Sequence, residues 1–319
     1  MNKKLLMPVI IIPLLISACL PVAADQGNQP QAPQIDPIQP TQIVPTPQPT
    51  PINPYSIEAL AEREYGMGEL VVEYPWHNEN EFTRYYITYD SDGLTIHGFV
   101  NIPKGSGPFP VVIALHGYIP PQEYTTLDYS TRYADSIARK GYIVLHPNMR
   151  NFPPSDSPGR VRDFQTGYTV DVLNLLEYAR QQSGQPGSIF EHADVERIGI
   201  WGHSLGGGVA LRTMSLVEEI KAAVLYAAVS QRYTNDSAGF TVFDLELTDA
   251  ALSVHHGTND ETIDVDWSYR LCDQLAEMQK DHECFFYEGS PHTFYRLGQA
   301  EPLFIQRTID FFNRHLKDA

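Results

Sequence analysis

Gly202-His203-Ser204-Leu205-Gly206 has the G-x-S-x-G form of a tight turn that carries a nucleophilic serine. Arg197 to Trp201 before it reads as a short buried strand, and Gly207 to Met214 after it as the opening of a helix. On such a turn the serine hydroxyl projects above the sheet, and the flanking glycines let neighbouring backbone pass close by. A serine hydroxyl is a weak nucleophile at neutral pH, so a base must take its proton and a third group must orient that base. Two segments downstream can supply them: Leu252 to Asp260 and Tyr287 to Phe294, each a strand running into a polar loop. Asp260 is expected to orient and His292 to act as general base, with Glu261, Asp264 and Asp249 as alternatives for the acid. His203 adjoins the serine, but neighbours on a sharp turn point apart, so packing or hydrogen bonding is expected of it.

Attack on a carbonyl puts negative charge on its oxygen, and N–H donors must be aimed at that charge. The backbone N–H of Leu205 is one candidate, by its place after the nucleophile. The second is the N–H of Tyr118, in the loop His116-Gly117-Tyr118 that follows the apolar run Val111 to Leu115. Paired His255 and His256 lack the H-E-x-x-H pattern or any similar ligand set, and no metal or organic cofactor is expected.

The elements that must position these residues can be read from apolar patterning. Ser56 to Tyr65 suggests a short helix capped by Ser56. Glu69 to Tyr74 and Glu81 to Tyr89 read as strands, and Asp90-Ser91-Asp92-Gly93 turns the second into Leu94 to Ile102 as an antiparallel hairpin. Continuous apolar runs then follow at Val111 to Leu115, Tyr142 to Leu145, Ile198 to Trp201, Ala222 to Ala228 and Leu252 to Val254, with a last strand at Cys284 to Tyr287. Runs of this kind suit strands covered on both faces. Helical stretches separate them: Leu127 to Lys140, Val161 to Gln182, Leu205 to Val217, Asp266 to Lys280 and Glu301 to Leu316. The expected class is α/β, a mostly parallel doubly wound sheet with an antiparallel N-terminal hairpin. Val229 to Ala250 interrupts the alternation and reads as a small lid.

The 319-residue chain is ordinary in composition, with 42% hydrophobic and 19% charged residues, which suits a folded domain. Its net charge of −17 leaves no basic stripe for nucleic acid. Asn2-Lys3-Lys4 followed by the apolar run Leu5 to Ile16 reads as a targeting segment too short to span a bilayer comfortably. It ends in Ile16-Ser17-Ala18-Cys19, which resembles the lipobox of bacterial lipoproteins. That resemblance implies a signal peptide over 1–18, lipidation of Cys19 and anchoring of the protein outside the cytoplasm on a bacterial membrane. Residues 19–54 are rich in proline and glutamine and read as an extended tether, leaving 55–319 as the catalytic domain. An extracytoplasmic site permits a disulfide between Cys272 and Cys284, although the reading favours two buried free thiols.

His116-Gly117, Gly202 to Gly207, His256-Gly257-Thr258-Asn259-Asp260 and Gly289 to Phe294 together resemble the α/β-hydrolase superfamily over about Phe82 to Leu316. The acid and histidine loops look most like the prolyl oligopeptidase (S9) catalytic domain and its dienelactone-hydrolase-like relatives. The resemblance implies a serine hydrolase acting on a small ester or peptide, with ester chemistry favoured and an S9-type peptidase as the alternative. A non-catalytic surface lipoprotein on the same scaffold is a second alternative, against which an intact Ser204, Asp260 and His292 argue. Three departures stand out. The stretch before the hairpin is too short for the S9 propeller. The family loop Asp-x-Arg-Gly-x-Gly-x-Ser becomes Asn148 to Ser155, which keeps Arg150 and Ser155 but loses both glycines. Dienelactone hydrolases proper use a cysteine nucleophile, where this chain has Ser204.

Overall fold

The computed structural model describes residues 56–159, 164–230, 244–295 and 298–318. The expected signal peptide and tether, Cys19 included, lie outside these residues, as do 231–243 of the expected lid.

Helix α1 (Ile57–Ala61) starts at Ser56, whose Oγ accepts from the Ala59 N–H at 3.2 Å and satisfies one orphan donor of the first turn. Strands β1 (Leu70–Asn78), β2 (Phe82–Ser91) and β3 (Leu94–Pro103) form an antiparallel meander. Asp92 and Gly93 link β2 to β3 with both φ angles positive (53° and 75°), the hairpin turn whose twist matches its strands. The chain continues through β4 (Phe109–Leu115), β5 (Ile143–Pro147), β6 (Ala193–His203), β7 (Ile220–Tyr226), β8 (Ala251–Gly257) and β9 (His282–Tyr287). The nine described strands make one sheet in the order β1-β2-β3-β5-β4-β6-β7-β8-β9. β3 meets β5 antiparallel, and every pairing from β5 to β9 is parallel.

The continuous apolar runs are buried on both faces, as their lack of alternation requires. Helices α3 (Phe164–Gln182), α4 (Leu205–Met214) and α5 (Asp266–Glu277) cover one face. Tyr168, Val172, Leu175, Leu176 and Ala179 of α3 point into that core at helical spacing. Helices α2 (Thr131–Ala138) and α6 (Ala300–Leu316) cover the other face, where Tyr133, Trp201, Tyr226, Phe304 and Phe312 cluster. Each large side chain fully buried there contributes roughly 1.5–3 kcal/mol. α2 begins later than the sequence suggests, because the Asp128 carboxylate accepts from the Ser130 N–H at 2.6 Å and holds that stretch in a local turn.

The strand order reverses at β4. The chain leaves β4 toward β5 on one side and returns to β6 on the other, so the loops after β4 and β6 diverge and open a crevice at the carboxyl edge. Ser204 follows β6 and His116 follows β4, which places both at that crevice.

One expectation is corrected. Cys272 on α5 and Cys284 on edge strand β9 are not free thiols but a disulfide, with Cα atoms 6.5 Å apart. α5 packs against β9, which brings the two side chains within bridging reach. A cross-link over a separation of 12 residues is worth about 3 kcal/mol in the chain-entropy view. Reduction, or paired Cys272→Ala and Cys284→Ala substitution, is expected to lower the urea-unfolding free energy by about that amount. Coincident unfolding curves with and without reductant would contradict it.

Candidate active site

Ser204 sits between β6 and α4 with φ 54° and ψ −115°, a conformation that costs a non-glycine residue energy and persists only when its surroundings impose it. The surroundings do so through the main chain. Ser204 N–H donates to Tyr226 O at 2.9 Å, and Ser204 O accepts from Gly207, Val229 and Gly208 N–H at 3.0, 3.0 and 3.2 Å. Leu205, the next residue, opens α4, so its N–H is one of the helix donors without an intrahelical partner.

The structure brings Asp260 and His292 together. Asp260 Oδ2 accepts from His292 Nδ1 at 2.7 Å, while Oδ1 accepts from the N–H groups of Thr262 and Ile263 at 2.8 and 2.9 Å. The Asp260 side chain is fully buried, and His292 retains 18% exposure. Burial by itself would raise the Asp260 pKa. Hydrogen bonds from His256, His292 and the two backbone N–H groups outweigh it and hold the carboxyl well below the usual range. With Nδ1 committed to Asp260, His292 has Nε2 available for a hydroxyl proton.

The acid and histidine loops are tied to each other. Thr258 N–H donates to Tyr287 O and Asn259 N–H to Ser290 O, both at 3.0 Å, and Gly289 N–H reaches Thr258 Oγ1 at 2.8 Å. Phe294 N–H donates to the buried Tyr226 hydroxyl. His292 Nδ1 is taken by Asp260 and not by the alternative acids Glu261, Asp264 or Asp249, the last of which pairs with Lys280 at 3.7 Å.

Two residues that the sequence leaves without a role belong to this site. His256 Nε2 donates to Asp260 Oδ2 at 2.9 Å, beside His292, and its Nδ1 meets Ser268 Oγ at 2.7 Å. The only signal for it in the sequence is the four-residue step from His256 to Asp260. Tyr129 hydrogen-bonds both Gly117 and His203, and nothing in its local sequence marks it. His203 packs and hydrogen-bonds as expected, with its ring centre 4.6 Å from that of His292. His255 is buried in the sheet, its ring hydrogen-bonded to Ser253 Oγ at 2.8 Å and to the Tyr287 hydroxyl at 2.9 Å. Among the described residues no His, Cys, Asp or Glu cluster could hold a metal ion.

Tyr118, the expected oxyanion residue of the loop after β4, is half exposed, and its ring stands 6.2 Å from that of Phe152. The stretch from Asn148 to Ser155 contains no glycine. Asn151 adopts φ 68°, a left-handed conformation that asparagine tolerates better than most residues. Arg150 is locked onto Asp171, with Nη2 to Oδ1 at 2.8 Å and its own N–H to Oδ2 at 2.7 Å, and Ser155 Oγ accepts from His97 N–H at 2.9 Å. Breaking a buried pair of this kind typically costs about 3–5 kcal/mol, so the loop flanking the crevice is firmly held.

Sheet order, switch point and strained serine turn define an α/β-hydrolase. Residues 96–316 match the dienelactone hydrolase family, and the chain belongs to it. The chain is 29% identical to Esterase EstD of Thermotoga maritima over 141 residues, 42% of this chain and 31% of that protein. Its fold is similar to the acylaminoacyl peptidase of Pyrococcus horikoshii (TM-score 0.59, 21% identity, 75% of this chain and 42% of that one). It is equally similar to acetyl xylan esterase 1 from Thermoanaerobacterium sp. JW/SL YS485 (TM-score 0.59, 14% identity, 77% and 88%). The chain thus spans well under half the length of EstD and of the peptidase.

Burial makes three imidazoles hard to protonate. It lowers the pKa of His203 and of His255 to about 3, and that of His146 well below its usual value. The unfolded chain takes up protons at these groups near pH 6.5 and the folded chain does not. Their stabilising contribution is therefore complete above that pH and is lost as pH falls below it, toward 3 for His203 and His255. Each imidazole should remove about 1.4 kcal/mol per pH unit in that window. Urea unfolding at pH 7, 6 and 5 should show this slope, reduced by about one such increment in His255→Phe; an unchanged slope would contradict the assignment.

Proposed function

We propose that the protein is a serine esterase held outside the cytoplasm by a lipidated Cys19, acting on small carboxylic esters through an acyl-enzyme. The observation that carries this reading is His292, bonded through Nδ1 to the buried Asp260 at 2.7 Å, on the rim of the crevice that holds the strained Ser204 turn. In the reaction, His292 Nε2 takes the Ser204 proton as Oγ attacks the carbonyl carbon. The oxyanion forms against the N–H groups of Leu205 and Tyr118. His292 then protonates the departing alcohol, and water, activated by the same imidazole, releases the acid from Ser204.

Ester chemistry is favoured over peptide chemistry because an alkoxide leaves more readily than an amide nitrogen. EstD and the acetyl xylan esterase carry esterase names, which supports the same choice. The peptidase reading rests on the acylaminoacyl peptidase fold similarity. The Cys272–Cys284 disulfide supports the location, since disulfides persist in oxidising compartments.

Purified full-length chain should turn over short-chain nitrophenyl esters far faster than proline- or alanine-ending peptidyl nitroanilides, judged by kcat/KM. Ser204→Ala should abolish the activity, and Asp260→Asn should lower kcat by about four orders of magnitude with little change in KM. Comparable amide turnover would move the protein to the peptidases, and activity that survives Ser204→Ala would sink the mechanism.

A further inference from the structure

Gly117, Tyr129, His203 and His292 stand on four separate segments and are joined by three consecutive hydrogen bonds. Gly117 N–H donates to the Tyr129 hydroxyl oxygen at 2.8 Å, the Tyr129 hydroxyl bonds His203 Nδ1, and His203 Nε2 bonds the main-chain oxygen of His292 at 3.1 Å. The reaction described above uses none of these bonds.

Their direction is fixed by chemistry. The His292 carbonyl can only accept, so His203 Nε2 carries a hydrogen. Burial, then the neighbouring His292, depresses the His203 pKa to about 3, so the ring is neutral and Nδ1 is a bare acceptor. Burial raises the Tyr129 pKa well above its usual value, and Asp128 adds to the effect, so the hydroxyl keeps its proton. That single proton goes to His203 Nδ1, which leaves the oxygen lone pair for Gly117 N–H. No bond in the series can reverse without leaving a buried polar group unpaired, at a cost of about 1–3 kcal/mol.

We propose that Tyr129 and His203 are positioning residues, forming a one-way hydrogen-bond relay that sets the oxyanion loop and the His292 loop in register about Ser204. The proposal rests on the serine-hydrolase reading of the site. The bond from Gly117 N–H to Tyr129 fixes the backbone that leads directly into Tyr118. The approach is close enough to require glycine: a Cβ at position 117 would stand 2.8 Å from Tyr129 Oη, 2.9 Å from His203 Nδ1 and 3.2 Å from Ser204 Cβ. At the other end, His292 is gripped twice, by its ring at Asp260 and by its carbonyl at His203. The His203 ring packs against the rings of Tyr226 (4.3 Å) and His292 (4.6 Å), and Asp260 and His256 are the remaining titratable groups that act on it.

The test uses full-length chain in mild detergent with Tyr129→Phe, His203→Phe and the double variant. Tyr129→Phe keeps the ring and removes one hydroxyl. It is expected to lower kcat on a nitrophenyl ester by about 10–100-fold, less than outright loss of an oxyanion donor, with KM within about threefold and Tm lowered by several degrees at most. Inhibition by phenylboronic acid, which mimics the tetrahedral adduct, should weaken in parallel. The double variant should lose no more than the worse single one, because either substitution breaks the same relay. Wild-type kcat in Tyr129→Phe, or losses that multiply in the double variant, would overturn the proposal. Histidine ¹⁵N spectra give a readout that needs no turnover: His203 should hold its hydrogen on Nε2 and not titrate between pH 5 and 8. Titration in that range overturns the relay even if the wild type hydrolyses esters. Absence of ester turnover in the wild type would instead count against the functional reading, leaving the relay to stand or fall on the spectra. If His203→Phe fails to fold, Tyr129→Phe and the spectra decide the matter.

Discussion

The turn at Ser204 is packed backbone against backbone, and the position of every other group in the site is measured from it. A Cβ on Gly206 would lie 2.4 Å from Leu115 O and 2.6 Å from His116 O, so the first turn of α4 rests directly on the end of β4. No side chain intervenes between the segment that carries Ser204 and the segment that leads to Tyr118. Their spacing is therefore set by covalent geometry and sheet register, which are stiffer than any side-chain packing. The unfavourable φ of Ser204 is maintained by the main-chain hydrogen bonds around it.

His292 cannot be placed in the same way, because it lies beyond β9, at the far edge of the sheet from the point of reversal. It is held through polar groups and a covalent tie. The loop after β8 carries Asp260 and leads into α5, and the loop after β9 carries His292, so the Cys272–Cys284 bond joins the two elements from which these loops are hung. Above that bond, hydrogen bonds from Thr258, Asn259 and Gly289 knit the loops to each other, and the Tyr226 hydroxyl anchors Phe294 to β7, the strand next to that of Ser204. The site thus combines a rigid half built on close backbone contact with a half assembled from directional bonds.

This division explains what the sequence discloses. The Ser204 turn is legible because its requirements are local: a buried strand, glycines where backbones touch, and a helix after it. The parallel strands are legible for a similar reason, since Val111 to Leu115 or Ala222 to Leu225 has no polar residue to place on a solvated face. Tyr129 and His256 depend on long-range placement. Tyr129 reaches His203 only because the chain after β4 passes beside β6, and His256 reaches Asp260 only because the loop folds back on its own strand. The disulfide is hidden for the same reason, since its separation of 12 residues carries no information about the packing of α5 on an edge strand. Loss of the glycines in the Asn148 to Ser155 loop misleads in the opposite direction. Asn151 takes up the left-handed conformation itself, and the Arg150–Asp171 pair supplies the constraint.

The bonding of Asp260 bears on where the proton travels in the proposed reaction. Two imidazoles share Oδ2, and two backbone N–H groups occupy Oδ1. A carboxylate with four donors has no lone pair well placed for a proton, and protonating it would set two of those donors against an oxygen that has lost its charge. The depressed pKa of Asp260 expresses the same balance, hydrogen bonds prevailing over burial. The proton taken from Ser204 therefore stays on His292 as one half of an ion pair until the leaving group collects it. His256 contributes to that outcome by drawing on the same oxygen, which tempers the attraction of Asp260 for the imidazolium. An acid left solely to His292 would hold the imidazolium more tightly and surrender its proton less readily, so sharing Oδ2 suits an imidazole that must both take a proton and give it up within each half of the cycle.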